Sequence, residues 1–163
     1  MRLFLFGLFA ALPCLAQFRS IEITFEGIGC VSCIESMPAR IQRMRGVESA
    51  TVDAQHGILK VQLAPANRVR LEQVRDAIEQ DGTKAKTAAV QVQGELSQAD
   101  GKWVLQPGSL ASSYEVEGAA PPSPAAGAYL VTGDVAKLRP GSGRIVITAS
   151  QLKKAGQNTE PRP

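Results

Sequence analysis

Apolar and polar positions alternate along residues 20–25, which puts Ile21, Ile23 and Phe25 on one face with the period of a half-buried strand. The period then changes. Ile34, Met37, Ile41 and Met44 recur at spacings of three and four, predicting a helix with one buried stripe that Gly46 ends. Pro38 removes a backbone donor from that helix, so it either runs on continuously or begins at Met37 with Ser36 as its cap; the stripe starting at Ile34 favours the continuous form. Two short strands are expected over 47–53 and 58–63, around the turn Ala54-Gln55-His56-Gly57. Asn67 is placed to cap a second helix with Leu71, Val74 and Ile78 as its stripe, Asp81-Gly82 ends it, and 83–86 leads into a fourth strand.

The order β-α-β-β-α-β specifies an α+β class, the split βαβ or ferredoxin-like sandwich, with two helices on one face of a four-stranded antiparallel sheet. It is expected to occupy residues 17–87. Beyond Lys86 strand-like alternation takes over, at 90–96, 103–105, 114–116, 129–135 and 144–148, with a hairpin signal at Asp100-Gly101 and an Ala- and Pro-rich exposed loop at 118–127. Short strands with internal glycines predict a small all-β domain over 88–155, OB-like in form. Residues 156–163 are polar and expected to be a disordered tail.

Composition narrows the partners. The net charge is +3, and basic residues are interleaved with acids with little aromatic accompaniment, so nucleic acid is not an expected partner. The first residues are different in kind. Arg2 precedes an apolar run over 3–12 that is too short to span a bilayer comfortably, and small residues at Cys14 and Ala16 put a cleavage after Ala16. Residues 1–16 therefore read as a signal peptide, and the mature chain as exported, periplasmic or secreted. Two other readings are an uncleaved anchor and lipidation at Cys14, the latter disfavoured by Leu12-Pro13.

Of three cysteines, two survive removal of such a leader: Cys30 and Cys33, in Cys30-Val31-Ser32-Cys33 between the first strand and the first helix. A bridge across so short a loop constrains little of the unfolded chain, so the pair is functional in character. Two sulfurs beside a helix N-terminus form either a soft-metal site or a redox pair. Thiolates favour Cu(I), with Hg(II) or Zn(II) as further candidates, whereas a closed structural zinc site usually takes four protein ligands. His56, the one histidine, is expected on the far side of a hairpin and reads as a solvated turn residue. Met37 and Met44 belong to the buried stripe, and Trp103, Tyr114 and Tyr129 read as packing residues.

The segment from about residue 20 to 86 resembles the heavy-metal-associated domain of copper chaperones, periplasmic mercury-binding proteins and the N-terminal modules of metal-pumping ATPases. The resemblance is carried by Gly27-Ile28-Gly29-Cys30-Val31-Ser32-Cys33, by Met37, Ile41, Met44 and Gly46-Val47, and by Ile78 with Asp81-Gly82. It departs where Ile28 and Gly29 replace the family's usual methionine and threonine, and where Thr83 stands at a position that is often aromatic in bacterial relatives. The resemblance implies a non-enzymatic metal carrier or scavenger holding its ion through Cys30 and Cys33, partnered by a membrane metal transporter or another Cys-x-x-Cys domain. Two other functions are compatible with the residues. One is a thiol-disulfide oxidoreductase, although Val31-Ser32 is unlike the usual residues between such cysteines. The other is a cell-envelope interaction module acting through the C-terminal strands.

Overall fold

The computed structural model describes residues 17–27, 30–108, 112–119, 126–139, 141 and 143–155. The expected leader, the expected tail and most of the 118–127 loop lie outside them. The first four strands are β1 (Gln17–Glu26), β2 (Val47–Asp53), β3 (Ile58–Leu63) and β4 (Lys84–Ala99), with α1 (Val31–Gln42) and α2 (Leu71–Glu79) between them. They pair in the order β2-β3-β1-β4, antiparallel throughout. In one row Ile21 lies between Val61 and Val90. Ile21, Ile23, Leu59, Val61 and Val90 are buried in one core with Ile34, Met37 and Ile41 of α1 and Leu71, Val74 and Ile78 of α2. These are the apolar stripes that the periodicities mark out, forming the ferredoxin-like sandwich.

Of two local expectations, the continuous first helix holds and the Asn67 cap does not. Pro38 lies inside a continuous α1, and Ser36 does not start the helix: its Oγ donates to the Cys33 carbonyl at 3.0 Å. Asn67 does not cap α2; the cap position is Arg70, whose N–H is accepted by Gln73 Oε1 at 3.0 Å. Asn67 is buried instead, donating from Nδ2 to the Phe18 and Ala64 carbonyls at 2.8 and 2.7 Å and accepting the Val69 N–H. It thus ties the start of β1 to the β3–α2 turn. Gly46, with φ +99°, packs against it so closely that a Cβ would sit 2.6 Å from Asn67 Cβ.

The largest difference from expectation is β4. The two strands expected near 83–86 and 90–96 are one sixteen-residue strand, and the boundary expected at 87/88 falls inside it. Its first part pairs with β1, and its last part pairs on the same side with β5 (Lys102–Gln106). The opposite edge pairs from Ala88 to Leu96 with β7 (Gly127–Val135). With β6 (Tyr114–Gly118) and β8 (Val146–Lys154), the pairings β4–β5–β6–β8–β7–β4 close a ring, all antiparallel except β6–β8. Gly94 stands where β1 gives way to β5; a Cβ there would meet the Gln106 carbonyl oxygen at 2.7 Å.

The ring and the sandwich share one core. Phe18, Val92, Leu96, Leu105, Tyr114 and Tyr129 belong to the same buried cluster as the helix stripes, while Trp103 packs against it half-buried. Helix α2 joins the two parts from outside the sheet. Glu72 accepts a hydrogen bond from the Tyr114 hydroxyl at 3.0 Å, Arg75 Nη1 donates to the Leu138 carbonyl at 2.7 Å, and Arg139 pairs with Glu79 and Asp76.

Candidate metal site

β1 ends at Glu26 and the chain leaves it through Gly27, whose φ of +76° is readily adopted only without a side chain. Cys30 then occupies the N-cap of α1 in extended backbone, and its Sγ accepts the Cys33 N–H at 3.1 Å. One turn brings the two cysteines to a Cα separation of 5.3 Å, and their sulfurs are joined in a disulfide. Ser32 Oγ lies 3.4 Å from Cys30 Sγ. Both cysteines are partly exposed. The structure is therefore the oxidised form of the pair; two electrons and two protons convert it to a dithiol. A sulfur at a helix N-cap, facing a backbone N–H, is placed where its thiolate is favoured over its thiol.

Apolar packing fixes the platform beneath the pair. Ile34 is buried on α1 directly after Cys33, and Met37 and Ile41 are fully buried below it. The α2–β4 turn closes one side: Gly27 faces the Gly82 carbonyl, and Arg40 Nη1 of α1 lies 2.6 Å from Asp81 Oδ2. Arg40 Nε and Nη2 have no hydrogen-bond partner among the described residues. The position after Gly82 holds Thr83, buried, with its Oγ1 likewise unpartnered among them. Sequence reasoning marked Thr83 as a departure and Asp81-Gly82 as the end of the second helix, but missed the pairing of Asp81 with Arg40, which depends on two elements far apart in sequence meeting in the fold.

His56 is not on the far side from the cysteines. Because β3 runs antiparallel to β1, the β2–β3 turn returns to the end of β1, where the Phe25 N–H donates to the Gly57 carbonyl at 2.8 Å. The ring itself is engaged elsewhere. Its Nδ1 lies 2.7 Å from Asp53 Oδ2, both side chains are well exposed, and Asp53 Oδ1 accepts the N–H groups of Gln55 and His56. The His56 hydrogen bond holds the Asp53 carboxyl below the usual carboxylate range. Among the described residues no third Cys, His, Asp or Glu converges with the cysteines into a metal-holding group. What the arrangement offers is two sulfurs, once reduced, open on one side. Met37 is core, and Tyr114 and Tyr129 are fully buried.

The heavy-metal-associated domain family matches residues 22–86. A copper chaperone CopZ of Staphylococcus haemolyticus (strain JCSC1435) is 34% identical over 64 residues, covering 39% of this chain and 93% of the relative. Among solved structures, a CopZ metallochaperone is 29% identical, with 40% of this chain and 97% of that one covered at a TM-score of 0.37. A copper-binding domain of the P-type ATPase HMA7 is 26% identical, with coverage of 44% and 92% and the same TM-score. With one relative matched at this identity along nearly its whole length, the chain belongs, through residues 22–86, to the heavy-metal-associated domain family.

Proposed function

We propose that this protein is an exported Cu(I) carrier that holds the ion between the thiolates of Cys30 and Cys33 and hands it to another thiol pair. The observation that carries this reading is the position of Cys30 Sγ at the N-cap of α1 with Cys33 one turn on, in a segment 34% identical to a copper chaperone. Two soft ligands match a soft monovalent ion, and the absence of a third converging ligand among the described residues leaves the ion accessible to an incoming thiolate. Ligand exchange of that kind needs a partner with its own paired thiols, such as a domain of a membrane metal transporter exposed outside the cytoplasm, or another exported Cys-x-x-Cys domain. Export rests on the leader pattern at residues 1–16. The strand order of the ring, with its parallel β6–β8 pair, supports reading the second part as an OB-like barrel that braces the metal-binding part through α2.

The disulfide favours a second reading, thiol-disulfide exchange, in which the reduced Cys30/Cys33 pair passes two electrons to a substrate disulfide through a mixed disulfide, releasing the substrate as a dithiol and returning to the bonded form seen here. Anaerobic titration of the reduced protein with Cu(I), Hg(II) and Zn(II) against competing chelators, beside a Cys30→Ser/Cys33→Ser control, separates the two. One equivalent of Cu(I) held in preference to the other ions and lost in the control supports the carrier. Insulin reduction above a free-thiol control, with no ion retained against a weak chelator, supports the exchange reaction.

A further inference from the structure

At the pole opposite the cysteines, α1 ends and the β3–α2 turn crosses it, leaving an open cavity of about 820 Å³ lined by Met44, Arg45, Gly46, Pro65, Arg68 and Gln73 among others. Among the described residues, no acidic one lines it. Arg45 and Arg68 are exposed, as is Arg43, Arg70 is half-exposed, and none of the four makes an ion pair with any described residue. Elsewhere Arg40, Arg75, Arg139, Lys60, Lys86 and Lys102 each have a carboxylate partner, and Arg19 and Arg144 bond the neutral side chains of Gln93 and Ser113; what marks this pole is that four arginines without ion pairs gather at one recess. Gln73 uses its Oε1 for the Arg70 N–H, which leaves its amide Nε2 as a donor at the cavity wall. The wall is fixed in place, since Asn67 is bonded to Phe18, Ala64 and Val69 and Gly46 is packed against it.

We infer that this cavity binds a phosphate-bearing anion, with Arg45 and Arg68 as direct partners, Gln73 as a further donor, and Arg43 and Arg70 adding attraction at longer range. Guanidinium groups match phosphate oxygens in geometry as well as in charge, and an unneutralised cluster of them around a recess is the arrangement such a ligand needs. The volume exceeds that of inorganic phosphate and falls within the ~300–1,000 Å³ range of small-ligand sites, so the phosphate is carried on a larger group, a soluble phosphorylated molecule or a lipid headgroup. The twelve residues of α1 separate this pole from the thiols by roughly 18 Å, at about 1.5 Å per residue. Binding here therefore leaves the cysteines open.

The test uses the full chain in two arms: inorganic phosphate and pyrophosphate followed by NMR shifts at this pole, and flotation with phosphatidylcholine vesicles with and without phosphatidylglycerol. A headgroup site gives flotation only with phosphatidylglycerol, and a soluble-ligand site gives saturable shifts with the free anions. Either signal is expected to weaken about tenfold or more in Arg45→Ala/Arg68→Ala, partly recover in Arg45→Lys/Arg68→Lys, and fall as salt is raised. Both arginines are exposed and unpaired, so the variants are expected to fold normally, checked by thermal unfolding. The Cys30→Ser/Cys33→Ser protein is expected to keep the signal whatever becomes of its metal binding, which separates this inference from the carrier reading. No signal in either arm, or one that Arg45→Ala/Arg68→Ala leaves unchanged, overturns it.

Discussion

The rings of Phe18 and Tyr114 meet edge to face, their centroids 5.5 Å apart and their planes at 87°. Phe18 belongs to the first strand of the metal-binding sandwich and Tyr114 to the ring of strands beyond it, and both are fully buried. A contact of this kind contributes roughly 0.5–1.5 kcal/mol beyond the area it buries. It joins the two parts within one buried core.

Phe18→Ala is accordingly expected to lower stability by about 3–5 kcal/mol, the usual cost of truncating a fully buried phenylalanine. The loss should appear as a single transition. Trp103 fluorescence reports the ring and far-UV circular dichroism reports α1 and α2, and in denaturant the two curves are expected to coincide in both wild type and variant. Separate midpoints would show that the parts unfold independently.

Tyr114 also gives the protein an alkaline limit. Burial, helped by the neighbouring Glu72 carboxylate, holds its hydroxyl protonated well above the ordinary tyrosine range. A group whose folded pKa lies above its unfolded value contributes stability below the unfolded value, near 10, and loses it as pH rises toward the folded one. Urea midpoints from pH 8 upward are expected to fall more steeply for wild type than for Tyr114→Phe, which still fills the site but cannot ionise. Parallel curves would mean that the hydroxyl is not held in this way.

Asp53 acts on the acid side. Its carboxyl is held down chiefly by the His56 hydrogen bond, so its contribution is present above the ordinary carboxylate range and fades as pH falls through the lowered value. Thermal midpoints measured between pH 5 and pH 2 are expected to fall less in Asp53→Asn than in wild type. The same pairing predicts that His56→Ala leaves Cu(I) affinity unchanged; a tenfold loss would place the imidazole at the ion.

Metal uptake is expected to require reduction. The bonded Cys30–Cys33 pair has no thiolate to offer, so protein kept oxidised should retain no Cu(I), and prior reduction should expose two titratable thiols and one equivalent of binding. Copper retained by the oxidised protein would point to ligands elsewhere in the chain.

What was legible in the sequence was local. Ile21, Ile23 and Phe25 alternate, Ile34, Met37 and Ile41 recur at helical spacing, and each apolar set is found buried. The cysteine pair was legible because its members share a turn and a helix start. The continuity of β4 was not, since Lys86-Thr87-Ala88-Ala89 carries no strong strand pattern of its own. Those residues are held extended by neighbours far along the chain, with Ala88 and Ala89 paired to Ile23 and Glu22 on one side and to Val135 and Asp134 on the other. Asn67 looked like a cap because its type suits one, but a buried carbonyl from residue 18 competes for its amide. The position of His56 came from the direction of β3 against β1, which residue type alone does not state.

Because β4 serves the sandwich with one stretch and the ring with the next, the familiar small carrier cannot be cut out of this chain at its customary end. A stop placed after residue 87 would leave Gln17, Phe18 and Ile21 without the strand they pair with, and Phe18 without the aromatic ring that covers it. Recombination that treats residues 22–86 as an interchangeable cassette would carry the same defect. In this chain the copper-chaperone-like segment and the strands from β5 to β8 are built on one shared strand, so neither is complete without the other's part of β4.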